Sequence, residues 1–148
     1  MNFPILSIIT FLPFVAAVVM LMMPADRKME VRGVALATAA LDLLLSGWLY
    51  LQYLLGGMTG YQFIEQYNWL PQLGITLYFG EDGISAPLVL LTGVVMFTGV
   101  LISWGDDNPH VMAGIQDRPR EFFSFLFLLA GGVFGVFVSL DLFMLFFF

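Results

Sequence analysis

No cysteine occurs in the 148 residues, and histidine occurs once. The first absence excludes disulfides and every thiolate-held metal or iron–sulfur site. The second leaves no imidazole cluster from which to build a metal centre. Charge is scarce too: Asp, Glu, Lys and Arg make up 11% of the chain, and only five residues are basic. No nucleic-acid partner is expected from so few cations. What fills the space is apolar, with 60% hydrophobic residues, 16 phenylalanines and a mean hydropathy of +0.94. That composition lies outside the range of soluble domains and identifies an integral membrane protein, whose first partner is the lipid bilayer. The formal charge of −6 would hint at cationic partners in a soluble chain. Here the sidedness of the charges is more informative than their sum.

Four runs are long and apolar enough to span a bilayer: 3–23, 33–55, 84–104 and 122–140. A fifth begins at Leu142 and reaches Phe148. The first run is a poor secretory signal, since no basic residue precedes it and PADRK follows where a small-residue cleavage site should stand. It is expected to remain as a helix, bent at Pro13. The fold class expected is therefore all-α integral membrane, with four complete transmembrane helices and the start of a fifth. Between helices two and three, segment 61–79 partly alternates apolar with polar residues around a Pro71–Gly74 turn signal, and it predicts a short β-hairpin with an aromatic face. That face suits either an aromatic belt resting on headgroups or a docking surface for a neighbouring subunit.

All five basic residues are read as lying in two loops, Arg27, Lys28 and Arg32 after the first helix and Arg118 and Arg120 after the third. Alternating helices put both loops on one side. By the positive-inside rule that side is cytoplasmic, and the amino terminus and the hairpin lie outside.

Several residues stand out against this frame. Asp82 or Ser85 can cap the third helix, with Gly83 between them and Pro87 in its first turn, and the acids there are read as structural. Gly131, Gly135 and Ser139 recur every fourth position, a ladder of small residues that admits a neighbouring helix; Ser85, Thr92, Gly99 and Ser103 form a comparable stripe on helix three. Asp42 lies nine residues beyond Gly33, roughly 13 Å into helix two and near the bilayer centre. A carboxyl at that depth is either a buried neutral structural acid or part of a proton path. Asp141 stands at a helix start, where capping is the simplest role. His110 sits in a polar loop and is read as solvated. After Asp141 the chain has seven residues, roughly 10 Å of helix, so the chain is expected to be a piece of something longer.

Three segments carry a family resemblance. LDLFMLFFF (140–148), WLPQLGI (69–75, with Trp69 and Pro71) and DGISAPLVLLT (82–92) resemble, in order and spacing, the amino-terminal part of the antiporter-like subunit M of NADH-quinone oxidoreductase, respiratory complex I. The likeness spans nearly all of residues 1–148. The Asp-Gly-Ile-Ser element is shared with subunit L and with cation/proton antiporter subunits; the other two favour subunit M.

The resemblance implies a membrane-arm subunit that couples quinone reduction to proton pumping through alternating Lys and Glu protonation. It implies no cofactor in this chain, with NADH, FMN, iron–sulfur clusters and quinone held by partner subunits of a multi-subunit respiratory complex. It also implies a bacterial or archaeal inner membrane, a functional Glu shortly after Phe148, and channel lysines on later helices. No catalytic residue is transferred. Asp141 matches an acid of the family motif and is expected to matter more for coupling than Asp42, which matches none. The alternatives are a subunit of a multi-subunit sodium/proton antiporter, which would lack the redox arm, and a non-catalytic membrane scaffold.

Overall fold

The computed structural model describes residues 4–57, 60–104 and 117–148. Its elements are α1 (Ile5–Met22), α2 (Lys28–Leu55), β1 (Gln62–Leu70), β2 (Ile75–Glu81), α3 (Ser85–Ile102), α4 (Pro119–Val138) and the short α5 (Leu142–Phe147). The four long helices are each long and apolar enough to cross a membrane. An 18-residue helix such as α1 covers roughly 27 Å, close to the thickness of the hydrocarbon core. The 28-residue α2 projects beyond it.

The helices form a bundle in which α1 packs most extensively on α4, and α2 on α3. Its interior divides into two apolar clusters. One, at the basic end, joins Ala17, Met20, Ala35, Val100, Phe123 and Phe127. The other, at the hairpin end, joins Leu6, Ile9, Leu49, Phe79, Val89 and Phe134. Large apolar side chains such as Val15, Leu44, Leu51, Val95 and Phe125 face outward. Helices apolar on all sides are the expected result of folding in lipid, where the driving force is close packing and satisfied backbone rather than removal from water.

The hairpin forms as predicted, though it runs two residues further, to Glu81. Its strands pair antiparallel from Gln62↔Glu81 to Leu70↔Ile75, across a one-turn 3-10 segment at Pro71–Leu73. Gly74 then takes φ 69°, a left-handed conformation that suits glycine. The strand edge is extended by the chain after α4: Ser139 bridges Phe79, and the Leu140 amide donates to the Tyr78 carbonyl at 2.9 Å. Gly80 lets Leu140 lie directly on the strand, since a Cβ there would occupy the Leu140 side chain.

Several sequence expectations change. Helix two begins at Lys28 rather than 33, and Arg32 lies inside it, 2% exposed. Arg120 likewise lies in α4, where its guanidinium donates to the Met23 carbonyl at 3.2 Å and so ties the start of α4 to the end of α1. Charge marks a loop only when the loop's length is known, and long basic side chains can extend a helix past its apolar stretch. Helix four stops at Val138, so Ser139 leaves the small-residue ladder for the sheet edge. Of the stripe Ser85, Thr92, Gly99 and Ser103 on helix three, Ser85 and Ser103 are buried and Gly99 faces open space; the tight glycine contact is instead at Gly93, where a Cβ would lie 2.5 Å from Ser46 Oγ. His110 lies outside the described residues.

Candidate functional site

At the hairpin end, Glu65, Asp82 and Asp141 each accept a backbone amide. Glu65, on β1, reaches across to the free amides at the start of α1. It accepts from Leu6 N at 2.8 Å, from Ser7 N at 3.1 Å and from the Ser7 hydroxyl. A carboxylate there satisfies donors that the helix cannot satisfy itself and complements the helix dipole. Nothing local in the sequence signalled this contact, because the partners are 59 residues apart.

Asp82 and Ser85 close on each other at the start of α3. Asp82 Oδ1 accepts from the Ile84 amide at 3.0 Å and the Ser85 amide at 2.7 Å, while Ser85 Oγ accepts from the Asp82 amide at 2.8 Å. This reciprocal arrangement is a capping box in function. The Ser85 amide is the main reason the Asp82 carboxyl stays below its ordinary range. Gly83 lies beside the Tyr53 hydroxyl, where an added Cβ would be 3.4 Å from the phenol oxygen. Trp69 stands edge-on to Phe147, with ring centroids 6.0 Å apart, and Pro71 opens the hairpin turn.

Asp141 begins α5 and spends one oxygen on it, accepting from the Phe143 amide at 2.8 Å. The Phe-rich end then folds back on the bundle. Phe148 lies over Gly135 and within aromatic contact of Phe11, Phe14 and Phe79. Gly131 seats Phe14, whose ring carbons would be 2.7–2.9 Å from an added Cβ. The two ladder glycines thus accept aromatic rings.

Two acids differ from the rest. Glu81, last residue of β2, is fully buried, and neither of its carboxyl oxygens has a partner among the described residues. Burial, reinforced by the neighbouring Asp82 charge, pushes its carboxyl up to about 8. Although it directly precedes Asp82 at the start of helix three, Glu81 closes the strand and takes no part in that cap. Asp42, on the inner face of α2, is 0% exposed, and neither oxygen meets a donor among the described residues. The structure does not bring Asp42 and Asp141 together: one lies mid-helix in α2 and the other at the start of α5. No group of three or more His, Asp or Glu residues placed to hold a metal occurs among the described residues.

No protein-family model matches the chain. Comparison with curated proteins does find relatives. The NAD(P)H-quinone oxidoreductase chain 4 protein of Trichodesmium erythraeum is 33% identical over 145 residues, 98% of this chain and 24% of that protein. That of Microcystis aeruginosa is 35% identical over 145 residues, 98% of this chain and 25% of that protein. Among solved structures, a chain of respiratory complex I from Thermus thermophilus, determined with bound NADH, superposes with a TM-score of 0.72 at 24% identity, covering 96% of this chain and 26% of that one. The second comparison establishes a shared fold, and the first a shared ancestry. The chain is a homologue of the NAD(P)H-quinone oxidoreductase chain 4 proteins and spans about a quarter of their length.

Proposed function

We propose that these 148 residues form the amino-terminal membrane portion of an antiporter-like subunit in a proton-translocating NADH-quinone oxidoreductase, or a closely related respiratory complex, where quinone reduction drives proton pumping. The observation that carries this reading is 32–35% identity to chain 4 proteins over 98% of the chain. The chain itself holds no redox centre in this reading. NADH, FMN, iron–sulfur clusters and quinone belong to partner subunits, and other membrane-arm subunits cover the outward-facing apolar helices. The membrane is a bacterial or archaeal inner membrane. The end bearing Arg27, Lys28, Arg32, Arg118 and Arg120 faces the cytoplasm, and the amino terminus and hairpin face outside.

Of the two proton-path candidates, Asp42 has the chemistry to spare. Asp141 already holds a helix start, and its influence on coupling would be electrostatic or through water. Asp82, Gly83, Ser85, Trp69, Pro71, Gly131 and Gly135 serve packing and the hairpin junction, and Ser139 serves the sheet edge.

The test is to tag the chain in its native cell, purify it in mild detergent and identify what accompanies it. Redox subunits and donor-driven quinone reduction coupled to proton uptake in vesicles are expected. Antiporter subunits alone, with sodium/proton exchange and no quinone reduction, would replace this reading with the antiporter one; neither set of partners would leave a scaffold.

A further inference from the structure

The middle of the bundle contains a layer that neither apolar cluster fills. On α1 it falls between Ile9, in the hairpin-end cluster, and Ala16, in the basic-end cluster. On α2 it falls between Leu49 and Ala39, and on α3 between Val89 and Met96. The buried residues within those intervals are Thr10 and Pro13 on α1, Asp42 and Ser46 on α2, and Gly93 on α3.

This layer is polar and under-satisfied. Both Asp42 oxygens and Thr10 Oγ1 are buried without a hydrogen-bond partner among the described residues. Pro13 has no N–H, so it cannot supply the helical bond that the Ile9 carbonyl would otherwise receive four residues on. Ile9 and Pro13 are both buried, so that carbonyl belongs to the inward face of α1. Ser46 Oγ donates to the Leu43 carbonyl at 3.0 Å and keeps its lone pairs for a donor. Gly93 seals the layer from α3, since any side chain there would displace Ser46 Oγ.

The charged groups of the packed elements are remote. The segments of α1, α3 and α4 that face this level carry none. On α2 the nearest on the same face is Arg32, ten residues away, roughly 15 Å along the axis. Arg120 and Glu121 stand at the basic end of α4, and Glu65 and Glu81 at the hairpin end.

An ionised carboxylate in such a place would carry a desolvation cost that nothing nearby repays. A neutral carboxyl has one donor and one acceptor face, and the layer supplies complements for both. A buried water needs two to four polar partners, and Asp42, Thr10, Ser46 and the Ile9 carbonyl are of the right kinds. We propose that Asp42, Thr10 and the carbonyl freed by Pro13 form a hydrated proton-binding site at the centre of the bundle. The Asp42 carboxyl holds its proton and shares an ordered water with the Thr10 hydroxyl and the Ile9 carbonyl. Exchange breaks the carboxyl O–H bond and forms a new one on that water, with no electron transferred. A proton, rather than a metal cation, is the ligand, because the layer offers a single acid and no further anion.

The test is infrared difference spectroscopy on the complete complex in membranes, taken across about pH 5 to 9. A protonated-carboxyl stretch that shifts in deuterated water and disappears in Asp42→Asn is expected near neutral pH. Thr10→Val, which keeps the shape and removes the hydroxyl, should move that band to higher frequency, and Thr10→Ser should restore it. Reaction with dicyclohexylcarbodiimide, which adds to protonated carboxyls in apolar surroundings, should label a peptide containing Asp42. A spectrum unchanged by Asp42→Asn, with no label on that peptide, would overturn the proposal. Labelling suppressed by sodium ions but not by raised pH would overturn the choice of proton as ligand. These readouts are independent of whether redox or antiporter subunits accompany the chain, so they and the copurification can fail separately.

Discussion

Removing the Glu65 carboxylate should release the start of α1 far more than a change in one hairpin side chain ordinarily would. Glu65 accepts three hydrogen bonds from that turn, two of them from the Leu6 and Ser7 amides. In Glu65→Ala those amides lose a charged acceptor, and the Leu6 amide lies in a buried contact. A hydrogen bond to a charged group contributes about 1.5–3 kcal/mol, and a buried donor left unpaired costs about 1–3 kcal/mol. Part of the loss is recovered because the first turn can fray into water at the hairpin end. A net local loss of about 3 kcal/mol is a reasonable figure, and it corresponds to roughly 150-fold faster opening.

Hydrogen exchange of the peptide spanning the start of α1 reads this directly, since local opening governs exchange there. Glu65→Ala should accelerate exchange at Leu6 and Ser7 by roughly two orders of magnitude while leaving the middle of α2 unchanged. Glu65→Gln keeps one acceptor oxygen and should fall between the two. Ser7→Ala removes only the hydroxyl bond, at about 1 kcal/mol. If Glu65→Ala exchanged like the unaltered chain at Leu6 and Ser7, the carboxylate would not be anchoring α1, and the account of how the hairpin is fixed to the bundle would be wrong.

Glu81 predicts a pH dependence. Its folded carboxyl titrates at about 8 against an ordinary value of 4.5, so between those limits the folded state holds the extra proton. Stability should therefore fall as pH rises through that window, by at most about 1.4 kcal/mol per pH unit. Thermal unfolding in detergent should show that slope, and Glu81→Gln should flatten it and be the more stable form above pH 8. Gly131→Ala presses a methyl into the Phe14 ring and should cost about 1–3 kcal/mol, whereas Gly99→Ala, facing open space, should be neutral or slightly stabilising by the same unfolding assay. Asp141→Ala should loosen α5 by about 1 kcal/mol, seen as faster exchange at Phe143. Asp141→Asn, which keeps an acceptor, should largely preserve the cap, so any loss of proton pumping in that variant would show a role beyond capping.

The four spans were legible because bilayer thickness imposes a minimum apolar length that no soluble segment here imitates. The hairpin was legible from its alternation and its Pro71–Gly74 turn, and the cap at Asp82 and Ser85 from spacing alone. What failed to show was whatever depends on a partner distant in sequence. Arg32 looked like a loop residue because charge was weighed without knowing that α2 extends past its apolar part. The stripe on helix three picked out Gly99 and passed over Gly93, and it is the approach of Ser46 that makes Gly93 the packed one. Glu65 and Glu81 are both acids on a short, polar-looking hairpin, yet one finds the start of a helix and the other finds no partner among the described residues.

The placement of these acids follows one physical division. At the hairpin end, backbone amides are available at three helix starts, and Glu65, Asp82 and Asp141 each cap one, so each carboxyl finds donors close to the membrane. In the middle of a helix no amide is free, because each N–H there is already committed to the turn before it. In the proposed site the Asp42 carboxyl keeps its proton and reaches, through the shared water, the Ile9 carbonyl that the buried Pro13 cannot bond. The same rule of backbone satisfaction thus gives Glu65, Asp82 and Asp141 amide partners at the hairpin end, leaves Glu81, unpartnered among the described residues, to hold its proton, and favours a neutral acid at the centre. An α1 with Pro13→Ala would close the Ile9 carbonyl into the helix, and it should raise the frequency of the Asp42 carboxyl band without altering the exchange rate of Leu6 or Ser7. An unchanged band in that variant would mean that the Ile9 carbonyl is not the partner of Asp42.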